Sequence, residues 1–197
     1  MKSPLEQLKS ISPLRITVSG AIGAGKSTFA KRLAQELDIP RMYMGQVMRE
    51  EAARRGMTLD AFNALLEVDD QVDRDVDAMQ VEKGRELARA VFEGRTSWHF
   101  IESPDVTLFF TVDPRVAAER IFRDDSALRD QYGSVEEIMA ANEKRKANEL
   151  LRYQTYYGIN VYDLDNYDLV IDTSRLTVEE VFQTATARIA DFLAEKS

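Results

Sequence analysis

The chain has 197 residues, a length that allows one well-buried core with at most a small appendage. Its composition is 44% hydrophobic and 30% charged, which excludes disordered and fibrous proteins. The formal net charge of −8 disfavours a general electrostatic grip on nucleic acid or an anionic membrane, and the absence of cysteine excludes thiol nucleophiles and thiolate metal sites.

The first residues do not predict a signal peptide. The N-terminal stretch lacks the apolar block of a signal peptide, and no apolar run is long enough to span a bilayer. We therefore expect a cytoplasmic protein in which residues 1–13 form an extension and residues 14–197 form one domain.

The first half of the chain opens with a strand, a glycine-rich turn and a helix. A β-branched strand is predicted at Leu14–Ser19, and a helix is predicted at Lys26–Leu37 because apolar residues recur there at helical spacing. A short second strand is predicted at Met42–Met44. Thr58 is a suitable N-cap for a helix at Leu59–Glu67, and a long polar helix is predicted to follow.

That polar helix, at about Asp69–Ala90, is the largest part of a charged helical insert at about 45–90. Continuous apolar runs predict three further strands, at Ala90–Glu93, Thr107–Val112 and Asp168–Thr173. Helix starts are predicted at Asp113 with Pro114, at Ser134 with Glu137 and at Thr177 with Glu180, the last two as capping boxes. This alternation predicts an α/β domain of three layers with a mostly parallel sheet.

A phosphate-binding loop is predicted at residues 20–27, which fit the pattern GxxxxGK[ST] between a strand and a helix. Its glycines allow backbone N–H groups to turn inward around phosphates, and the helix N-terminus adds partial positive charge. We expect Lys26 to reach the β- and γ-phosphates of ATP and the Ser27 hydroxyl to coordinate Mg²⁺. The predicted ATP-binding residues are Gly20, Ala21, Ile22, Gly23, Ala24, Gly25, Lys26, Ser27 and Thr28.

Several arginines indicate that the acceptor is itself phosphorylated. Arg49 and Arg95 each follow a predicted strand, and ligands bind at the carboxyl ends of strands in such sheets. Arg145 and Arg152 lie seven residues apart, so both point to one face of a long helix. ATP and a monophosphate together carry about −6, of which one Mg²⁺ leaves about −4, and these arginines with Lys26 could offset that charge.

Two of these positions leave alternatives open. Glu93 is either a partner of Mg²⁺ or its waters, or a carboxylate that pairs with Arg95, and in a kinase for hydroxyl groups it could act as the general base. Arg145 could instead be a solvated helix residue that pairs with Glu143 or Glu149.

A resemblance to a known family joins these features. The stretches ITVSGAIGAGKST, MGQVMREEAARRGMTLDAFN, VFEGRTSW, YGINVYDL and YDLVIDTS, with Arg145, Arg152 and Tyr153, resemble the short, archaeal-type cytidylate kinases over about Arg15 to Leu193. The resemblance implies a P-loop NTPase fold, with the insert at 45–90 as the monophosphate-binding part and a lid at about 123–133. It also implies ATP-dependent phosphorylation of CMP and dCMP with Mg²⁺.

The resemblance assigns roles to single residues. It implies that the catalytic cations are Lys26, Arg95, Arg120, Arg145 and Arg152, and that Arg49 and Arg95 bind the acceptor. We also expect acceptor contacts from Arg145, Arg152 and Asp69, since a carboxylate near the start of the polar helix could bind an exocyclic amine such as that of cytosine. Ser27 and Glu93 are the predicted metal-site residues.

Other functions remain open from the sequence alone. One is a P-loop kinase for AMP, UMP, a nucleoside or a small metabolite such as shikimate. Another is a non-enzymatic nucleotide-binding switch, although the sequence has neither the Asn-Lys-x-Asp guanine motif nor an apolar strand that ends in Asp-Glu. We expect a monomer whose partners are nucleotide substrates, with no nucleic-acid polymer and no membrane.

Overall fold

A five-stranded parallel sheet forms the centre of the computed structural model, which describes residues 3–58, 61–62, 65, 71–124 and 132–196. In spatial order the strands are β2 (Arg41–Tyr43), β3 (Arg89–Glu93), β1 (Leu14–Gly20), β4 (Val106–Thr111) and β5 (Leu169–Asp172). Every neighbouring pair is parallel, so the carboxyl ends of all five strands lie at one edge of the sheet. The predicted α/β fold with a parallel sheet is confirmed.

Helices cover the sheet. They are α1 (Pro4–Lys9), α2 (Lys26–Leu37), α3 (Met44–Arg54), α4 (Gln71–Glu86), α5 (Ser97–Phe100), α6 (Pro114–Phe122), α7 (Val135–Tyr157) and α8 (Val178–Glu195), with a 3₁₀ turn at Leu164–Asn166. None of the described helices is both long enough and apolar enough to cross a membrane.

The main core lies between the sheet and helices α2 and α8. The central strand β1 is buried on both faces, as expected of a strand that has neighbours on each side in a parallel sheet. The ring of Phe29 on α2 lies 5.1 Å from that of Phe110 on β4 and 5.9 Å from that of Phe182 on α8. Leu8 of α1 is fully buried in the same cluster, so the N-terminal helix packs on the core.

The helix starts depend on the caps read from the sequence, with one exception. Thr177 and Glu180 form a reciprocal capping box at the start of α8, as predicted. Ser134 accepts the backbone N–H of Glu137, but the Glu137 carboxylate accepts the backbone N–H of Gly133 at 2.8 Å. The predicted capping box at Ser134 and Glu137 is therefore only half right, because Ser134 caps the helix but Glu137 does not bind back to Ser134.

The structure differs from the sequence prediction at two boundaries described here and in one additional helix. The second strand ends at Tyr43, one residue before the predicted end, because Met44 already starts α3. Helix α4 ends at Glu86 and not at Ala90, since β3 pairs with β1 from Arg89 onward. The short helix α5 was not expected.

Two predicted segments lie partly outside the described residues. Thr58 caps the following backbone as expected, because its Oγ1 accepts the N–H of Ala61 at 3.2 Å, but much of the predicted helix at Leu59–Glu67 is not described. Residues 125–131 of the predicted lid at 123–133 are not described either, so the lid stays a prediction.

Candidate active site

The loop between β1 and α2 adopts a conformation that only glycine accommodates. Gly20, Gly23 and Gly25 have φ angles of 155°, 75° and 81°, which L side chains rarely adopt. A Cβ on Gly20 would lie 2.7 Å from the carbonyl oxygen of Phe110, and one on Gly23 would lie 2.9 Å from the Cβ of Ala117. The sequence motif is therefore explained by backbone shape, and the N-terminus of α2 directly follows the loop.

A cavity of about 130 Å³ lies beside this loop and collects most of the predicted site residues. The five cations that line it are Lys26, Arg49, Arg95, Arg145 and Arg152. Ser27 and Glu93 line it as well. The structure thus brings together residues from the loop, from α3, from the end of β3 and from α7. Asp69 lies outside the described residues, and its contact with the acceptor stays a prediction.

Arg120 lines a different, larger cavity of about 410 Å³, together with Gly25 and Thr28 of the loop. Its guanidinium donates to the Oγ1 of Thr173 at 3.1 Å and to the carbonyl of the same residue at 2.6 Å, just beyond β5. The structure therefore does not place Arg120 with the other arginines. Apolar residues also line this cavity, among them Phe182, whose ring lies 3.8 Å from the Arg32 guanidinium.

Glu93 is fully buried at the end of β3, where it joins the loop to the edge strand. Its Oε1 accepts a hydrogen bond from the Ser27 hydroxyl, and its Oε2 accepts one from the Nε of Arg41 at 2.8 Å. The alternative that Glu93 pairs with Arg95 is wrong, because the Glu93 carboxylate pairs with Arg41. Arg95 pairs with Glu149 instead. Arg41 and Glu93 are diagonal neighbours on paired strands, since Arg41 lies opposite Val91.

The partner of Arg95 is Glu149, a buried carboxylate on α7. It accepts hydrogen bonds from the Nε of Arg95 at 2.8 Å, the Nε of Arg145 at 3.0 Å and the hydroxyl of Tyr162 at 2.6 Å. Burial alone would raise the pKa of Glu149, but the two arginines and the tyrosine hydroxyl lower it to about 2. The alternative partner for Arg145 is thus confirmed in part, because it pairs with Glu149 and still lines the cavity.

Lys26 lies where burial and neighbouring cations disfavour its charged form. Burial lowers the pKa of its ammonium well below the ordinary value, and the charges of Arg95 and Arg145 lower it further, whereas Glu93 opposes the shift. Cations placed together at a buried site repel one another unless an anion lies among them. Five cations and three carboxylates, those of Asp77, Glu93 and Glu149, line the cavity, so the positive charge that remains in excess fits an anionic ligand.

The two remaining arginines are held by aromatic residues. Arg49 donates a hydrogen bond to the hydroxyl of Tyr43, and its guanidinium lies 5.0 Å from the centre of that ring. Arg152 is buried and donates to the hydroxyl of Tyr153 at 3.2 Å. Aromatic rings orient a guanidinium without removing its charge.

Sequence reasoning named Glu149 only as a possible partner of Arg145, and it missed other residues of this site. Glu149 is four residues after Arg145 and three before Arg152, so the helical period alone places it on their face. Asp77 and Gln80 of α4 also line the cavity, and their spacing of three places them on one helical face. Arg41 and Tyr162 carry no comparable signal, because tertiary structure alone brings them to Glu93 and Glu149.

Comparison with known proteins gives the family. Residues 15–175 match the cytidylate kinase-like family. The cytidylate kinase of Pyrococcus abyssi is 37% identical over 183 residues, which cover 93% of this chain and 97% of the relative. That of Methanocaldococcus jannaschii is 34% identical over 178 residues, which cover 88% of this chain and 96% of the relative.

Solved structures with low identity share the fold. A crystal structure of an uncharacterized protein from Eubacterium ventriosum has a TM-score of 0.66 at 17% identity, and covers 92% of this chain and 98% of that one. The shikimate kinase of Bacteroides thetaiotaomicron has a TM-score of 0.59 at 18% identity, with the same coverage. The predicted P-loop kinase fold is thereby confirmed, and the chain belongs to the cytidylate kinase-like family.

Proposed function

We propose that the protein transfers the terminal phosphoryl group of ATP to the phosphate of CMP or dCMP, which yields ADP and CDP or dCDP. As a member of the cytidylate kinase-like family, it is an ATP-dependent phosphotransferase. The observation that carries the choice of acceptor is the single cavity of about 130 Å³ beside the loop, on which Lys26 and four arginines converge. This arrangement occurs in a chain whose net charge is −8, so the cations form a local anion site.

The charge of the reactants is opposite in sign to the excess charge of the cavity, which five cations and three carboxylates line. ATP and a nucleoside monophosphate carry about six negative charges at neutral pH, and one Mg²⁺ leaves about four. We assign the ATP phosphates to the loop and to Lys26, and the acceptor phosphate to Arg49 and Arg95. Arg145 and Arg152 then stabilise the phosphoryl group during its transfer.

The reaction needs positioning more than acid or base chemistry. An oxygen of the acceptor phosphate attacks the γ-phosphorus of ATP, and the bond from that phosphorus to the β–γ bridging oxygen breaks as ADP leaves. The attacking oxygen is already anionic, so no general base is required. The structure supports this choice, because Glu93, the predicted base of a hydroxyl kinase, is engaged by both Ser27 and Arg41.

Mg²⁺ fits the pair of Ser27 and Glu93. The Ser27 hydroxyl and the buried Glu93 carboxylate are hydrogen-bonded neighbours, and oxygen ligands of this kind suit Mg²⁺. Ser27 would bind the ion directly, and Glu93 would hold its waters. When bound, the ion neutralises charge on the β- and γ-phosphates.

The larger cavity suits the rest of the ATP molecule. Its volume of about 410 Å³ lies in the range of small-ligand pockets, and Phe182 and Val181 supply apolar surface for a base. The insert at 45–90 remains our candidate for the monophosphate-binding part, since Arg49 of α3 and Asp77 of α4 both line the small cavity. The expectations of a monomer and of cytoplasmic localisation stay predictions.

An ADP-release assay tests this proposal. Purified protein with Mg-ATP is given CMP, dCMP, UMP, AMP, GMP, cytidine and shikimate in separate reactions. We expect CMP and dCMP to stimulate ADP release most strongly. If no monophosphate raises ADP release above the basal rate, the acceptor assignment is wrong, and stimulation by shikimate or cytidine would favour a hydroxyl kinase.

A further inference from the structure

A buried polar cluster forms one wall of the small cavity, away from the loop. It consists of Asp77 and Gln80 on α4 and of Thr96 and Ser97, which follow Arg95. Asp77 is 6% exposed and Gln80 is 1% exposed, yet Asp77, Gln80 and Thr96 all line the cavity. Burial of an amide and a carboxylate is costly unless their polar atoms find partners, so the partners of each atom define what this wall can bind.

The cluster fixes the orientation of the Gln80 amide. Its Oε1 accepts a hydrogen bond from the Ser97 hydroxyl at 2.6 Å, and its Nε2 donates to the Oδ1 of Asp77 at 2.7 Å. Thr96 also donates to Oδ1 of Asp77, at 2.9 Å. Because an ionised carboxylate only accepts hydrogen bonds, the amide must present its NH₂ group to it. The side chain of Asp77 is therefore held in one position.

The second oxygen of Asp77 keeps capacity for a ligand. Among the described residues, Oδ2 accepts a hydrogen bond only from the hydroxyl of Tyr157, at 2.6 Å. A carboxylate oxygen has two lone pairs, so one acceptor direction of Oδ2 remains.

We propose that Asp77 selects the base of the acceptor nucleotide by accepting a hydrogen bond from the exocyclic amine at C4 of cytosine. This inference rests on the proposed function and deepens it. Cytosine carries an NH₂ donor at C4, whereas uracil carries an oxygen that only accepts. Uracil would therefore place one acceptor against another in a buried wall, and a site built for a hydrogen bond rejects a ligand that leaves it unmade.

Several neighbouring groups act on the charge state of Asp77. Burial raises the pKa of Asp77, and the hydrogen bonds from Tyr157, Thr96 and Gln80 counter the rise. Arg152, which lines the same cavity, also favours the ionised form. The bases are compared at one fixed pH.

The test compares kcat/KM for CMP and UMP in the wild-type protein and in Asp77→Asn. The asparagine can keep its oxygen toward Gln80 and Thr96 and present an N–H to the cavity, which suits the C4 oxygen of uracil. We expect kcat/KM for CMP to fall by about 10- to 100-fold and the preference for CMP over UMP to fall by at least about 10-fold, with KM for ATP unchanged. Asp75→Asn, an exposed change on the same helix, is the matched control and should alter neither ratio.

A second measurement uses only the wild-type protein, so it does not depend on how the variant folds. The 5′-monophosphate of 2-pyrimidinone riboside has hydrogen at C4 where CMP has its amine. We expect its kcat/KM to be about 10- to 100-fold below that of CMP. Equal use of CMP and this analogue would overturn the role of Asp77, as would an unchanged preference for CMP in folded Asp77→Asn.

These outcomes separate the inference from the proposed function. If the wild-type protein phosphorylates CMP but fails either test of the C4 amine, only the assignment to Asp77 is wrong. If it phosphorylates no monophosphate, the proposed function fails, and the inference that rests on it fails as well.

Discussion

The Nε of Arg95 donates a hydrogen bond to the Glu149 carboxylate at 2.8 Å, and the same guanidinium donates to the carbonyl of Gly20. Arg95 thus connects the end of β3, the first residue of the loop and helix α7. Glu149 holds Arg145 from the same helix in the same way, through its other oxygen. Because a guanidinium has further N–H groups, both arginines keep donors for an anion while their positions are fixed.

Loss of the Glu149 charge should destabilise the free protein. In Glu149→Gln two arginines lose their carboxylate, and breaking a buried pair in this way costs about 3 to 5 kcal/mol. Urea denaturation at pH 7 measures the free energy of unfolding. Glu102→Gln, which removes an exposed partner of Arg85, is the control and should cost less than about 1 kcal/mol.

The effect of Glu149→Gln on the free energy of unfolding should depend on pH. The pKa of Glu149 is lowered from 4.5 to about 2 in the folded protein, so its stabilisation is complete above 4.5 and is lost as the pH falls toward 2. The difference in unfolding free energy between the wild-type protein and Glu149→Gln should therefore shrink through this interval. A difference that stays constant from pH 6 to about pH 2 would contradict the role of the ionised carboxylate.

Removal of the Arg95 side chain should impair turnover more than ATP binding. Arg95→Ala takes away a cation fixed at the acceptor side of the cavity, and loss of one such donor lowers kcat/KM for CMP by about 10² to 10³. ATP binding, measured by thermal shift, should change little, because Lys26 and the loop remain. Arg115→Ala, an exposed change on α6, is the control and should leave kcat/KM near the wild-type value.

Much of the fold could be predicted because its signals are local. The strand at Leu14–Gly20 and the helix at Lys26–Leu37 follow from apolar periodicity, and the loop between them follows from its motif. The predicted end of α4 was wrong because the pairing between β3 and β1 determines where the helix must stop. Arg89 already pairs with Leu14 of β1. A local sequence pattern does not show which residues will pair with a neighbouring strand.

Five of the six predicted cations, all but Arg120, line the small cavity, and the predicted Glu93 does so too, whereas Asp77 was not predicted there. Arg95 and Arg145 were chosen for their positions at a strand end and on a helix face, and both line the cavity. The alternative that Glu93 pairs with Arg95 rested on closeness in sequence, whereas position in the sheet decides which arginine Glu93 binds. Arg41 lies 52 residues away along the chain, yet the register of β2 and β3 brings it to Glu93.

Replacement of Lys26 should have opposite effects on the free protein and on its complex with ATP. Burial lowers the pKa of Lys26, so the charged form is disfavoured in the folded free protein, and Lys26→Met should leave thermal stability unchanged or increase it. ATP at about 100 times its Kd stabilises a protein by about 2.7 kcal/mol, or roughly 5 to 10 °C at this size, and the variant should lose most of that gain. Lys31→Met, an exposed change on α2, should keep it. A full ATP-induced shift in Lys26→Met would show that this lysine does not contact the phosphates.

Loss of the Ser27 hydroxyl should weaken the response to Mg²⁺ while the fold is kept. The hydroxyl lies on the buried Glu93 carboxylate, so Ser27→Ala removes one oxygen ligand and the group that Glu93 orients. Glu93 keeps its hydrogen bond with Arg41, which limits the structural damage. We expect the Mg²⁺ concentration for half-maximal activity to rise by about 10- to 100-fold at constant ATP. Ser10→Ala, at the exposed end of α1, serves as the control, and an unchanged Mg²⁺ requirement in Ser27→Ala would remove Ser27 from the metal site.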